Sequence, residues 1–443
     1  MVALLLCIFL IFNACSRDYQ ENGMMTIELN FPPDQSPLDG AEGITLSILS
    51  GNEQIASQDF PIDSRVGTIE GIPQNIPIRA IVEAKSGDGV TLARGRTPEF
   101  ILEKNQKKFL RIFFSKPGTF SKLKKDMSAR IEPKVALISG DLALVTGGVS
   151  PSGLILSSAE VYSHNELSFE VTGAMSHART GHSVVRLNTG NIAIFGGQDT
   201  TSLIPDIEIF NPETRTFNVI SRLNLPRKNA SVTLTDNGTV LVCGGMGDTS
   251  GLNTCETFNP EDSSVKLLEA KMIGFRYNHS SLLLPDSNIL LAGGSGFNSV
   301  EIFNTQNGSS ILQDLLSSER ENAYMEFTGQ DRIMIACGTK PAKLDFLKLS
   351  DYRIHSPEEA PILPADCSAH LMLDGRLFIA GGIENNQPSD SAFIIDLNKF
   401  SIDWTGKMYS RRRSPEIQLL SDGTLLILGG TNTPPFAEVF NPP

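Results

Sequence analysis

Along most of this chain apolar and polar residues alternate with a period of two, the spacing of a half-buried β-strand. The run Met25-Thr26-Ile27-Glu28-Leu29-Asn30-Phe31 places its apolar side chains on one face. Similar runs at Ile44–Leu49, Ile78–Ala84, Val90–Arg94 and Phe109–Phe114 are separated by clusters of Pro, Gly and Asp. This pattern predicts a β-sandwich of roughly seven strands over residues 24–115.

Past residue 116 the chain repeats itself. Short apolar runs end in paired glycines at Gly147-Gly148, Gly196-Gly197, Gly244-Gly245, Gly293-Gly294, Gly381-Gly382 and Gly429-Gly430, and Cys337-Gly338 is a degenerate copy. A period of about 47 residues with four short strands in each predicts propeller blades. Turn dipeptides such as Asn237-Gly238, Asp374-Gly375 and Asp422-Gly423 precede the glycine strands, because these residues tolerate positive φ. A third strand reads Ala159-Glu160-Val161-Tyr162 or Ala437-Glu438-Val439-Phe440, and a fourth runs into Met-x-x-x-Arg, as at Met175/Arg179 and Met272/Arg276. The last repeat stops after its third strand, while Phe120 to Arg130 approximates a fourth-strand pattern upstream of the first blade. That segment is expected to complete the seventh blade, closing the ring and removing its free edge.

The paired glycines, together with Arg179/His182 and Arg276/His279 in an Arg-x-x-His arrangement, resemble the kelch repeat and the galactose-oxidase type of propeller. The chain lacks the regular Trp of the eukaryotic repeat, Trp404 being its single Trp. The stretch from Gly71-Ile72-Pro73 to Gly89 resembles an immunoglobulin-like or prealbumin-like module. The expected fold is all-β: an N-terminal immunoglobulin-like sandwich over 24–115, then a seven-bladed kelch-type propeller over 117–443 closed by its N-terminal strand.

The first residues belong to neither region. Val2 to Phe12 is apolar throughout, too short to span a bilayer and of the length of an export signal's core. Phe12-Asn13-Ala14-Cys15 resembles a bacterial lipobox. The resemblance implies a signal peptide over 1–14, lipid attachment at Cys15, a tether over 15–23, and, with Ser16 following, a Gram-negative outer-membrane location. Cys243, Cys255, Cys337 and Cys367 remain. Three pairings are open in an oxidising compartment; Cys243 and Cys255 flank one predicted hairpin loop, and free buried thiols are the alternative.

Charge narrows the partners. A formal net charge of −13 argues against nucleic acid, whose phosphates need clustered Lys and Arg. The stretch Lys104 to Arg130 is locally positive and suits a solvated edge or anionic head groups near an anchor. Arg130, Arg179, Arg227, Arg276 and Arg320 share one repeat position, continued by Arg412 or Arg413; Glu160, Glu208, Glu256, Glu301 and Glu438 share another. Buried charges must pair, so Arg of one blade is expected to meet Glu of a neighbour; an Arg-rich mouth that recognises carboxylates is the alternative. His182, His279 and His370 fall at the start of first strands, where a ring spreads them apart, and no metal site is assigned. The copper site implied by the galactose-oxidase resemblance needs Tyr, His and a Cys-linked Tyr. No such set stands out among Tyr162, Tyr277, Tyr324, Tyr352 and Tyr409, so no cofactor and no catalytic residue is assigned.

Loops between second and third strands vary in length, from Val149–Ser158, Gln198–Asp206 and Met246–Thr254 to the short Ser295–Ser299. They mark the expected working face. The functional expectation is a lipid-anchored envelope protein whose propeller is a non-enzymatic binding or scaffolding module for protein or glycan. The alternative is a glycan-active enzyme, an epimerase or lyase of uronic or sialic acids, working at the propeller mouth.

Overall fold

The computed structural model describes residues 23–104, 106–304 and 310–443, so Cys15 and the export-signal run lie outside the described residues. Two regions follow one another. In the first, a three-stranded sheet orders Val66–Ile72, Gly23–Asn30 and Lys107–Phe113. Its last two strands run parallel. A second sheet orders Glu53–Phe60, Gly43–Ser50, Pro77–Lys85 and Thr91–Arg96, with Phe100–Ile101 also on Pro77–Lys85. Alternation puts Met25, Ile27, Leu29, Ile44, Leu46, Ile48, Ala80 and Val82 into one core between the sheets.

The second region is seven four-stranded antiparallel sheets. Blade 1 runs Lys134–Ser139, Leu142–Thr146, Ala159–Ser163, Ser168–Val171, and blades 2, 3 and 4 begin at Ser183–Arg186, Ser231–Leu234 and Ser280–Leu283. Blades 5 and 6 begin at Tyr324–Phe327 and Ser368–Leu371. Blade 7 takes Glu416–Leu419, Leu425–Leu428 and Ala437–Asn441 from the end of the chain and Thr119–Ser121 from before blade 1. Phe120 stands opposite Phe440 in that pairing, is 3% exposed, and packs on Phe440 and Phe378. The ring is therefore closed by hydrogen bonds and by an aromatic plug, and no blade edge is left unpaired at the join.

Second strands are buried at every position in five blades, as in Ile192–Phe195 and Leu425–Leu428, and at all but the first in blades 1 and 5, because both faces pack on neighbouring blades. The glycines that end them are forced. Gly196 has φ +62°, and a Cβ there would lie 2.2 Å from the Arg227 carbonyl oxygen.

Blades are joined by a repeated polar clamp. In six of the seven blades an Arg in the connection entering the blade donates to the carbonyl oxygen of that blade's first Gly-position residue. This holds for Arg130 on Gly147 (3.3 Å), Arg179 on Gly196 (2.9 Å), Arg227 on Gly244 (2.8 Å), Arg276 on Gly293 (2.5 Å), Arg320 on Cys337 (2.8 Å) and Arg412 on Gly429 (2.6 Å). The same guanidinium meets an acid on the blade's third strand: Arg130–Glu160, Arg179–Glu208, Arg227–Glu256, Arg276–Glu301, Arg320–Asp345 and Arg412–Glu438. These arginines are at most 1% exposed, so they form no carboxylate-recognising mouth. Arg412, not Arg413, takes the repeat position, and Arg413 bonds Asp366 instead. For five of these six, all but Arg130, the Arg main-chain oxygen in turn accepts the second glycine's N–H of the preceding blade, as Gly148 to Arg179 (3.1 Å) and Gly245 to Arg276 (2.7 Å). One residue thus holds two blades.

The sandwich sits against blades 7 and 1. The Asn441 amide donates to the Arg94 and Ser115 carbonyl oxygens at 3.0 Å, and Gln35 donates to the Phe120 carbonyl oxygen at 2.9 Å. Cys243 is bonded to Cys255, its cross-strand partner in blade 3, and Cys337 to Cys367 between blades 5 and 6.

Candidate active site

A cavity of about 480 Å³ opens between the sandwich and the ring. The ring supplies Asp141 from the first turn of blade 1, His164, Asn165 and Glu166 from its last turn, and Asp422 from the first turn of blade 7. The sandwich supplies Arg96, Lys108, Arg111 and Phe113. First and last turns of a four-stranded blade emerge on the side opposite the loops between second and third strands. The cavity is therefore on the other face from the variable loops that sequence reading marked.

At its floor the Asp422-Gly423 turn does two jobs. Gly423, at φ +85°, allows the hairpin, and the Asp422 carboxylate turns inward. One oxygen accepts from the Thr424 N–H (2.9 Å) and hydroxyl (2.7 Å), and the other meets His164 Nε2 at 2.9 Å. His164 Nδ1 lies 2.9 Å from the buried Tyr162 hydroxyl, and Phe113 of the sandwich covers the ring at 5.3 Å between centroids. Burial opposes charge on His164, yet the charge and hydrogen bond of Asp422, with Asp141 behind it, outweigh burial and raise its pKa. Burial likewise works to raise Asp422, but His164 and Thr424 overcome it and hold the carboxylate low. Tyr162 is pushed far up, by burial first and then by the two carboxylates. The arrangement is a histidine–carboxylate pair across the ring's closing seam.

Above this floor stand cations and a second acid. Arg96 is half-buried; its Nη2 makes a 3.4 Å bond to the Pro442 carbonyl oxygen, and its Nε has no partner among the described residues. Burial lowers its pKa and Asp422 pulls it back up. Lys108 lies over Phe100 at 4.7 Å. Arg111 is already divided between Glu28 and Glu166. Asp141 is partly exposed and accepts the Ser421 hydroxyl. None of these residues shows in the sequence as a motif. His164 and Asp422 are 258 positions apart, and only the parse that closes blade 7 on blade 1 makes them neighbours.

The histidines noted in the sequence are spread around the ring. His182 Nε2 bonds Thr146 (2.8 Å) and His279 Nε2 bonds Ser231 (2.9 Å). Burial, followed by the nearby Arg, drives His182 far below its ordinary pKa and His279 down to about 3. His370 is not at their position. It is the third residue of its strand, packs on Tyr324, and leaves the equivalent place to Cys367.

No family model matches the chain, and no curated protein matches it. Among solved structures it is similar to a fungal alcohol oxidase of the AA5 family, described as catalytically diverse and determined in complex with copper. The TM-score is 0.62 at 16% identity, over 74% of this chain and 76% of that one. At that identity the likeness establishes the fold, and 750 matching chains mark an architecture too widely reused to name an activity. It does correct the expectation of a non-enzymatic binding or scaffolding module, because the same architecture carries catalysis in that oxidase. The residues here do not fit copper. Among the described residues no group of three His, Cys, Asp or Glu could hold a metal. Cys243, Cys255, Cys337 and Cys367 are bonded to one another, leaving none of them for a Cys-linked Tyr.

Proposed function

We propose that this chain is a carbohydrate-active enzyme of the epimerase or lyase kind, acting on an anionic, carboxylate-bearing sugar in the cleft between sandwich and ring. The observation that carries this reading is the Arg96 guanidinium, half-buried in the cleft with its hydrogen-bonding capacity almost unspent. A sugar carboxylate is a planar acceptor of the right shape for it. Neutralising that carboxylate acidifies the neighbouring C–H. In this reading Asp141, on the wall of the same cleft, takes the proton, the C–H electron pair passing into the carboxylate, while a protonated His164 held by Asp422 offsets the charge that builds. Return of a proton to the opposite face gives epimerisation. Expulsion of the β-linked oxygen, which leaves with a proton, gives elimination. The likeness to an alcohol oxidase supports a catalytic ring of this build, without its copper chemistry.

The test is incubation with uronate-containing glycans, whose carboxylate-bearing carbon carries a hydrogen, in deuterated water. The reading expects deuterium beside the carboxylate, or an unsaturated product, with loss of about 10²–10⁴-fold for Asp141→Asn and a raised KM for Arg96→Ala. Absence of both exchange and elimination across such substrates would sink it.

We also propose export and lipid attachment at Cys15. Its support is the apolar run Val2 to Phe12 ahead of Ala14-Cys15, and two disulfides that belong to an oxidising compartment. Labelling with a fatty acid should tag the wild type and miss Cys15→Ser.

A further inference from the structure

Five of the seven seams between blades carry the glycine-to-arginine backbone tie: Gly148 to Arg179, Gly197 to Arg227, Gly245 to Arg276, Gly294 to Arg320 and Gly382 to Arg412. The seam between blades 5 and 6 has lost every part of it. The Arg position is Pro364, and the acid on the third strand is Phe393. Both charges are gone together, which avoids a lone buried ion.

What replaces them sits at two other repeat positions, the first glycine and the residue before the next blade's first strand. In two of the regular seams the first glycine lies against the next blade's His: a Cβ on Gly147 would be 2.7 Å from His182 Cε1, and one on Gly244 would be 2.8 Å from His279 Cε1. In the fifth blade that glycine is Cys337, at φ +60°, and the His is Cys367. A side chain is barred at Gly196 and Gly293 by the next Arg carbonyl oxygen, 2.2 Å from the would-be Cβ. With Pro364 in place of that Arg, Cys337 bonds Cys367. The backbone adds a substitute, Asp366 N–H to the Gly338 oxygen at 2.7 Å. Tyr324 of blade 5 accepts the Leu371 N–H of blade 6 at 2.9 Å.

We infer that Cys337–Cys367 is a covalent replacement for the arginine clamp, and that it makes this one seam a redox-sensitive latch in an otherwise redox-indifferent ring. A small dithiol reductant delivers two electrons and two protons, leaving two thiols on the protein and a disulfide in the reagent. No Arg–acid pair then remains to hold blades 5 and 6. The other disulfide joins adjacent strands inside blade 3, where reduction frees no seam. The inference is independent of the chemistry proposed for the cleft.

The experiment is hydrogen exchange on the whole protein with and without dithiothreitol under native conditions. Exchange at the Asp366 and Leu371 amides should quicken at least about tenfold on reduction, with the Gly245 and Gly294 amides unchanged. Cys337→Ser/Cys367→Ser should match the reduced protein without reagent, and Cys243→Ser/Cys255→Ser should leave the 5–6 seam protected. Equal loosening of all seams, or an unmoved 5–6 seam after both bonds are reduced, overturns the inference. A second variant, Cys337→Gly/Cys367→His/Pro364→Arg/Phe393→Glu, rebuilds the regular clamp. It should fold and lose its response to dithiol at this seam; failure to fold would show that the two fastenings are not interchangeable.

Discussion

The seam between blades 3 and 4 and the seam between blades 7 and 1 perform one task with different materials. The first is held by the repeat itself: Arg276 reaches Glu301, Gly293 and Ser299, and its carbonyl oxygen takes the Gly245 N–H. The second keeps the Arg130–Glu160 pair but, among the described residues, lacks the glycine tie. It is finished by non-repeating groups. The Asp126 carboxylate accepts the Phe436 and Ala437 N–H groups, Lys134 pairs with Glu416, and His164 meets Asp422. Repetition secures the ring where nothing else happens. Where the chain must close on itself, unique residues gather, and the cleft and its titratable pair are found there.

Removing a regular clamp should have the largest effect. Arg276→Ala leaves Glu301 charged, buried and unpaired, and should cost roughly 3–5 kcal/mol in urea unfolding. Arg276→Met with Glu301→Leu should recover only part of this, because the Gly293 and Ser299 carbonyl oxygens still lose their donor. At the closing seam, Phe120→Ala empties the site between Phe378 and Phe440 and should cost a similar, slightly smaller amount, about 3–4 kcal/mol. Exchange should then quicken first at the 437–441 strand. Equal exchange everywhere would mean that closure is no weaker than the regular seams.

pH separates the two regions next. The His164 pKa is raised above its ordinary 6.5, so its stabilisation is complete below 6.5 and is lost as pH rises through the folded value. His279, lowered to about 3, has the opposite sign: its contribution is present above 6.5 and is lost as pH falls towards 3, by up to about 1.4 kcal/mol per pH unit. Stability measured across this range should flatten on the alkaline side in His164→Gln and on the acid side in His279→Gln. The smallest effect is expected at the rim. Arg215 and Glu170 link blades 2 and 1 at 3.0 Å but are about half exposed, and Arg215→Ala should cost less than about 1 kcal/mol.

The fold was legible because its constraints are local and recur. A second strand buried on both faces must be apolar, and a Cβ cannot stand where Gly196 meets the Arg227 oxygen, so the pattern is written into each repeat. The clamp was partly legible. Glu160, Glu208, Glu256, Glu301 and Glu438 align, but blade 5 uses the shorter Asp345 and blade 6 uses none, and a search for Glu passes over both. The cleft was not legible. Asp422 reads as an ordinary turn residue beside Gly423, His164 reads as a polar residue at a strand end, and Arg96 lies in another domain. Only the three-dimensional closure gives them a common address, and it puts them on the face away from the long loops.

The Asn441 amide grips Ser115, 326 positions earlier. At synthesis rates of about 5–20 residues per second the 119–121 strand leaves the ribosome roughly 16–65 seconds before its partner exists. Through that interval blades 1 to 6 are made one after another and the ring has a gap. A nascent chain therefore carries an open edge for longer than most small domains take to fold, and whatever escorts it must keep that edge from pairing with a neighbouring copy.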